Sequence, residues 1–147
     1  MKIRVLVVDD EEQFVQQLAE RLRLRDYDVN TALNGDQALN TIQQYNFDVV
    51  ILDVAMPGID GIETLREIKN IKPLTEVIML TGHATVESAI EGMKLGAFDY
   101  LIKPTNTEDL VMKVNSAYAR KANHEERIRQ AKANEIFSSP LSVFRDK

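Results

Sequence analysis

Five short stretches that are typical of β-strands, each followed by a segment with helical periodicity, constrain the fold of this chain more than any other feature. The stretches begin near residues 3, 28, 47, 76 and 98. Short, continuous apolar runs are typical of strands buried on both faces of a parallel sheet. Strands that alternate with helices are joined by crossovers, which place helices on both faces of that sheet. The sequence therefore predicts an α/β protein with a doubly wound, five-stranded parallel sheet.

The third stretch, FDVVILDVAMPGIDG at residues 47–61, contains the central strand of this prediction. Residues 49–52 form a continuous apolar run with three β-branched side chains, and Asp53 follows it directly. In open α/β sheets, ligands bind beyond the carboxyl ends of the strands. We therefore expect Asp53 at a binding site, although a lone carboxylate at this position can equally cap the next turn. Pro57-Gly58 and Asp60-Gly61 then turn the chain into the third helix.

Composition excludes several classes of protein. Because the chain has no cysteine, it has no disulfide scaffold, thiol nucleophile or thiolate metal site. The first apolar strand follows Met1-Lys2 without a signal-peptide pattern, and no run approaches the length of a membrane span. We therefore expect a cytoplasmic protein with no membrane partner. Residues 1–119 carry a net negative charge, which argues against direct binding of nucleic acid by that part.

The last segment of the chain differs from the rest. We expect residues 1–119 to form one domain, and residues 120–147 to be a helical C-terminal extension or linker with a short irregular tail. Helix-forming residues continue past Ala119 without a breaker as far as Ser138-Ser139-Pro140. Because apolar positions are sparse here, two alternatives stay open: an exposed arm, or a helix that pairs with a partner helix. His124 is expected to face solvent.

Polar side chains follow four of the five predicted strands. Asp9 and Asp10 follow the first, Asp53 the third, Thr81 ends the fourth, and Lys103 follows the fifth. These ends converge on one edge of a doubly wound sheet. Three carboxylates so close together cannot all stay ionised without a compensating cation, and oxygen ligands suit Mg²⁺. With Lys103 as a second positive charge, the set predicts a cradle for a phosphoryl group and Asp53 as its nucleophile.

Four motifs in a fixed order carry a family resemblance. VLVVDDEE, VVILDVAMPGIDG, VIMLTGHA and DYLIKP resemble the receiver domain of two-component response regulators, and the resemblance covers residues 3–118. It implies a (βα)₅ flavodoxin-like fold with strand order 2-1-3-4-5. It also implies a signalling phosphoacceptor rather than an enzyme, with intrinsic autophosphorylation and autodephosphorylation chemistry. The phosphoryl group would come from a histidine kinase, a phosphotransfer protein or a small phosphodonor.

The resemblance also implies roles for the acidic residues. Asp53 would be the phosphoacceptor. Asp10, Asp53 and the backbone carbonyl of Ala55 would bind Mg²⁺ directly, and Asp9 would bind it through water. This site needs positioning and charge neutralisation, which is most of what phosphoryl transfer requires.

The remaining roles implied by the resemblance concern the switch. Thr81 and Lys103 would bind the phosphoryl oxygens, and Tyr100 would change rotamer as Thr81 moves. The surface of the fourth helix, fifth strand and fifth helix would then change, and a homodimer or an unknown effector could bind there. Simpler interpretations stay open for single residues, since Thr81 could cap a helix and Tyr100 could be an ordinary strand aromatic. His83, near the pocket, is expected to be a solvated loop histidine.

Two departures from the family pattern bear on function. Thr105 stands where the family usually has an aromatic such as Phe, so we expect looser packing near the output face. Ala55 cannot hold or block an incoming water, so the lifetime of an acyl phosphate does not carry over from the family. The same residue argues against an aspartate-nucleophile phosphatase, which typically needs a carboxylate two residues after its nucleophile.

A third class of function is a receiver-like module that binds partners without phosphorylation. Such a module is expected to have lost at least one of the four main site residues, which are Asp10, Asp53, Thr81 and Lys103, and all four are present. Nucleotide binding by a glycine-rich turn is excluded because none follows the first strand.

Overall fold

The structure is a computed structural model that describes residues 2–82 and 85–138. The predictions for His83 and for the irregular tail lie outside the described residues. Five strands and five helices alternate within the described part of the chain. They are β1 (Arg4–Val8), α1 (Glu12–Arg23), β2 (Asp28–Ala32), α2 (Gly35–Gln44), β3 (Val49–Leu52), α3 (Gly61–Ile71), β4 (Glu76–Thr81), α4 (Val86–Lys94), β5 (Asp99–Ile102) and α5 (Thr107–Ser138).

The strands form one parallel sheet in the order β2-β1-β3-β4-β5, which confirms the predicted fold and strand order. Val8 at the end of β1 pairs with Leu52 at the end of β3, and Thr81 at the end of β4 pairs with Ile102 at the end of β5. Because these strands finish in register, the residues that follow them meet at one edge of the sheet.

Two apolar layers, one on each face of the sheet, explain why β1, β3 and β4 consist mainly of apolar residues. Alternate residues of a strand point to opposite faces. Val5 and Val7 of β1 therefore pack in one cluster with side chains of α1 and α5. Leu6 and Val8 pack in the other cluster, with side chains of α2 and α3.

The α4–β5 side of the molecule is less completely packed. Gly92 is the residue of α4 that is buried, whereas Val86 and Ile90 are exposed for 73% and 50% of their surface. β5 pairs with β4 alone among the described strands, and its Ile102 is also exposed. This edge of the domain therefore presents apolar side chains to solvent.

Helix α5 continues through residue 119, where the domain boundary is predicted, without a break. Its first turns bury Leu110, Val114 and Ala117 against the sheet, whereas Tyr118 is exposed for 37% of its surface. His124, which we expected to face solvent, is partly exposed and partly buried. Within the described residues, no helix is both long and apolar enough to span a membrane.

Candidate functional site

Three carboxylates meet at the carboxyl edge of the sheet. Asp9 and Asp10 follow β1, Asp53 follows β3, and one oxygen from each of the three lies within 4.8 Å of the others. Asp9 and Asp53 are 1% and 4% exposed, whereas Asp10 is exposed. The register of β1 and β3 thus brings together the carboxylates that the sequence places at the two strand ends, with Asp10 toward solvent.

The loop after β3 holds Asp53 close to the start of α3. The Gly61 amide donates a hydrogen bond of 2.8 Å to the Val54 carbonyl. A Cβ atom on Gly61 would lie 2.0 Å from the carbonyl oxygen of Asp53, so the loop can close this tightly because residue 61 is glycine. The loop also contains Gly58 at φ 78°, a left-handed conformation that favours glycine. Ala55 is exposed in this loop.

The Asp53 carboxylate has a raised pKa. Burial raises its pKa above the usual value; a hydrogen bond from Thr81 opposes this, Asp9 raises the pKa further, and the Lys103 charge lowers it in part. Its Oδ1 atom is buried and has no hydrogen-bond partner among the described residues. A buried carboxylate oxygen without a donor is costly, so this atom is the clearest sign that a cation or another group belongs here.

Lys103 provides the positive charge at this edge. Its Nζ atom lies 2.5 Å from Oδ2 of Asp9, 3.6 Å from Oε1 of Glu11 and 4.0 Å from the ring centroid of Phe14. Burial alone would lower the pKa of Lys103, but the bond to Asp9 and the charges of Asp9, Asp53 and Glu11 raise it. The ammonium is therefore committed mainly to Asp9, which leaves the Asp10 and Asp53 charges largely uncompensated.

Thr81 and Tyr100 occupy different positions relative to Asp53. Thr81 is fully buried at the end of β4, beside the Asp53 carboxylate, whose pKa it helps to lower. Tyr100 on β5 is partly buried, and its hydroxyl lies 2.8 Å from Oγ of Ser88 on α4. The phenol is thus held toward α4, and Thr81 is the one of these two residues that affects the pKa of Asp53.

Three residues of this region were missed by the sequence reasoning. Glu11 and Phe14 both contact Lys103, and Ser88 contacts Tyr100. The sequence does contain a local signal for Ser88, because Thr85 and Ser88 form a capping box at the start of α4. The Glu11 and Phe14 contacts join residues about ninety positions apart and had no local signal.

Thr105 borders a cavity of about 260 Å³ between α1 and α5. The walls include Phe14, Leu18, Leu80 and Leu110. No residue of α4 lines this cavity, so the looser packing expected near the output face stays a prediction.

The residues at the acidic cluster fit a Mg²⁺ ion. The available ligand atoms are oxygens, one of them is the unpartnered Oδ1 of Asp53, and Asp10 lies on the solvent side where a hydrated ion could enter. Mg²⁺ prefers such oxygen ligands and retains several waters. Asp10, Asp53 and the carbonyl of Ala55 are the candidates for direct ligands, and Asp9 is shared with Lys103.

The fold and the buried carboxylates at the carboxyl edge of its sheet can be compared with known families. The family model described as response regulator receiver domain matches residues 5–115. The chain therefore belongs to the response regulator receiver domain family of two-component systems.

Individual relatives agree with this assignment. The chain is 39% identical over 114 residues to the regulatory protein AtoC of Escherichia coli K12, covering 78% of this chain and 25% of AtoC. It is 42% identical over 117 residues to the transcriptional regulatory protein ZraR of the same strain, covering 80% of this chain and 26% of ZraR. This chain thus spans about a quarter of the length of these curated relatives.

A solved structure gives the same result. The CheY-like response regulator receiver domain protein of Methanospirillum hungatei JF-1 superposes with a TM-score of 0.82 and 27% identity. The superposition covers 84% of this chain and 99% of that one. The similarity therefore extends over the whole of that receiver domain.

Proposed function

We propose that this chain is a phosphorylation-controlled receiver that accepts a phosphoryl group on Asp53 in the presence of Mg²⁺. The observation that carries the proposal is the buried Asp53 carboxylate, with its unpartnered Oδ1 beside Asp9 and Asp10. A nucleophile at the end of a buried strand, with a hydroxyl and an ammonium nearby, suits phosphoryl transfer. The donor is a histidine kinase, a phosphotransfer protein or a small acyl phosphate.

In this proposal, Asp10, Asp53 and the Ala55 carbonyl hold Mg²⁺ directly, and Asp9 contacts it through water. The ion, when bound, neutralises charge on the phosphoryl oxygens. One carboxylate oxygen of Asp53 attacks phosphorus, an Asp53 O–P bond forms, and the P–N bond of a phosphohistidine or the P–O bond of an acyl phosphate breaks. The bonding electrons leave with the donor. Lys103 and Thr81 donate hydrogen bonds to the phosphoryl oxygens as the phosphoryl group is transferred to Asp53.

The output of the switch follows from the hydrogen bonds of Thr81 and Tyr100. Phosphorylation replaces the single carboxylate charge of Asp53 with a phosphoryl group that carries roughly −1.5 to −2 charge, and the Thr81 hydroxyl turns toward the new oxygens. Tyr100 must lose its bond to Ser88 before it can rotate inward. The face formed by α4, β5 and α5, defined by the exposed Val86, Ile90 and Ile102, then changes shape and binds a second copy or an effector.

The acceptor is tested by labelling with acetyl phosphate and measuring intact mass. We expect one phosphoryl group on the wild-type chain with Mg²⁺, and none on Asp53→Asn or in excess chelator. Asp60→Asn is the matched control, because Asp60 lies in the same loop and caps α3, a role that asparagine can keep. Full labelling of Asp53→Asn, or labelling that persists in chelator, would contradict the proposal.

The switch is tested by hydrogen exchange with and without beryllofluoride, which stands in for the phosphoryl group. We expect changed exchange in α4, β5 and the first turns of α5 of the wild-type chain. Thr81→Ala should still be labelled at Asp53 but should lose this change, whereas Ser88→Ala should keep it or enlarge it because Tyr100 is released. Unchanged exchange in all three elements of the wild-type chain would show that this switch does not operate.

A further inference from the structure

A second charged cluster lies at the opposite, amino edge of the sheet. Glu76 begins β4, and its carboxylate is 3% exposed. Arg120 of α5 donates to both carboxylate oxygens, through Nε to Oε2 and through a guanidinium nitrogen to Oε1 at 2.8 Å. Lys69 of α3 adds a contact of 3.4 Å to Oε1. Burial would raise the pKa of Glu76, but the bonds and charges of Arg120 and Lys69 outweigh it and lower the pKa.

A neighbouring ion pair joins the next residue of α5 to the same edge. Nζ of Lys121 lies 3.1 Å from Oδ1 of Asp48, which precedes β3, and 3.2 Å from Oε2 of Glu125. The other oxygen of Asp48 accepts a hydrogen bond of 2.8 Å from the Arg4 amide of β1. The Lys121 and Asp48 side chains are 14% and 19% exposed, so this pair is shielded more than a surface ion pair.

We propose that Glu76–Arg120 and Asp48–Lys121 form a basal clamp that holds residues 122–138 as a rigid arm in a fixed direction relative to the sheet. The arm needs such a device because α5 buries its main apolar side chains, Leu110, Val114 and Ala117, before the clamp. An isolated polar helix of this length is marginal in water. The clamp extends the contact of α5 with the rest of the domain, residues 2–119 (the body), by one turn. It thereby sets the point at which the helix can begin to fray.

The contacts of the clamp are distributed in a way that fixes direction as well as position. Arg120 and Lys121 are adjacent in α5 but reach different strands, Arg120 to β4 and Lys121 to the residue before β3. The Arg120 guanidinium also lies 4.6 Å from the ring centroid of Phe98, just before β5. Two anchors on separate strands resist rotation of the helix about its axis, which one ion pair would not. Both residues follow the segment 5–115 that the family model matches, and the inference does not depend on phosphorylation.

The test measures the direction of the arm by pulsed electron paramagnetic resonance. Because the chain has no cysteine, spin labels can be placed at Gln43→Cys on the body and Lys132→Cys on the arm, both exposed positions. We expect a narrow distance distribution in the parent and a broad one after Arg120→Met with Lys121→Met. Arg129→Met is the matched control, since it breaks the exposed Arg129–Glu126 pair within the arm without touching the clamp. Its distribution should stay narrow.

Hydrogen exchange gives the second readout. Amides at 118–126 should exchange at least about tenfold faster in the double variant, a factor that corresponds to about 1.4 kcal/mol. Amides of β4 and α3 should exchange at the parent rate if the body stays folded. Should the double variant unfold, Lys121→Met alone is measured, and broadening is expected there too.

Three results would overturn the proposal. A narrow distribution in the folded clamp variant would mean that helix continuity alone sets the direction of the arm. A broad distribution in the parent would mean that there is no rigid arm. A parent distribution that broadens on dilution would assign the order of the arm to a partner helix instead of the clamp.

Discussion

Replacing Asp53 with asparagine should stabilise the metal-free protein, although it removes the proposed acceptor. Asp53 is buried beside Asp9 and Asp10, with oxygens within 4.8 Å of one another. At an effective dielectric constant of about 20, two unit charges at that distance repel by about 3.5 kcal/mol. Asp53 has two such neighbours, and Lys103 offsets roughly one of them. Partial protonation of Asp53 in wild type reduces the remaining repulsion. We therefore expect Asp53→Asn to raise the free energy of unfolding by about 1 to 3 kcal/mol.

The pH dependence of this effect has a definite sign. The folded pKa of Asp53 is raised above its usual value of 3.8, mainly by burial. The stability that Asp53 contributes is therefore fully present below about pH 3.8 and is lost as the pH rises through the folded pKa. The difference between Asp53→Asn and wild type should thus be small in acid and should grow with rising pH until Asp53 is fully ionised.

Thermal melts without metal and with millimolar Mg²⁺ provide the assay. For a domain of this size, a gain of 1 to 3 kcal/mol corresponds to a rise in Tm of roughly 3 to 10 °C. Mg²⁺ should raise the Tm of wild type by relieving the same repulsion, and should raise that of Asp53→Asn much less. Glu135→Gln, an exposed change on the arm, controls for the loss of one negative charge. A metal-free Asp53→Asn that melts at or below wild type would refute the repulsion argument, as would an equal Mg²⁺ shift in both proteins.

Two further predictions concern residues that shape the two edges of the sheet. Gly61→Ala should lower the free energy of unfolding, measured in urea, by about 3 kcal/mol or more and reduce labelling at Asp53, because its Cβ would lie 2.0 Å from the Asp53 carbonyl oxygen. Gly82→Ala is the control, because a Cβ there would meet open space. Equal urea midpoints for the two variants would contradict the packing argument. The pKa of Glu76 is lowered in the folded protein, so its carboxylate stabilises the fold above about pH 4.5. This stabilisation is lost as the pH falls through the folded pKa. Thermal melts from pH 5 to 2 should therefore show a smaller loss of stability in Glu76→Gln than in wild type. If Tm falls with pH at the same rate in both proteins, the role given to Glu76 is wrong.

The fold could be predicted because its main signals are local and repeated. The inner strands β1, β3 and β4 consist mainly of apolar residues, because they are covered on both faces. The meeting of Asp9, Asp10 and Asp53 followed from the parallel arrangement, because strands that finish in register bring the next residues together. These inferences needed only strand ends and residue types.

What escaped the sequence reasoning depends on contacts between distant residues. Glu76 and Arg120 are 44 positions apart, and nothing near either residue indicates that they pair. At the margin of the apolar face of α5, the small Ala117 is fully buried, whereas the larger Tyr118 is 37% exposed. Periodicity identifies a helical face, but side-chain size decides which residue at its margin is buried.

Strand β4 joins two charged clusters that differ in one physical respect. At its amino end, the carboxylates of Glu76 and Asp48 are matched by Lys69, Arg120 and Lys121. At its carboxyl end, three carboxylates face one nearby ammonium, that of Lys103, and an oxygen of Asp53 has no partner among the described residues. A balanced buried cluster holds elements in place, whereas an unbalanced one gains stability when it binds a cation. Every residue of β4 from Glu76 to Thr81 is buried, so this one strand links the two clusters through the core. We therefore expect the carboxyl edge to respond to cations and the amino edge to anchor α5, as proposed above.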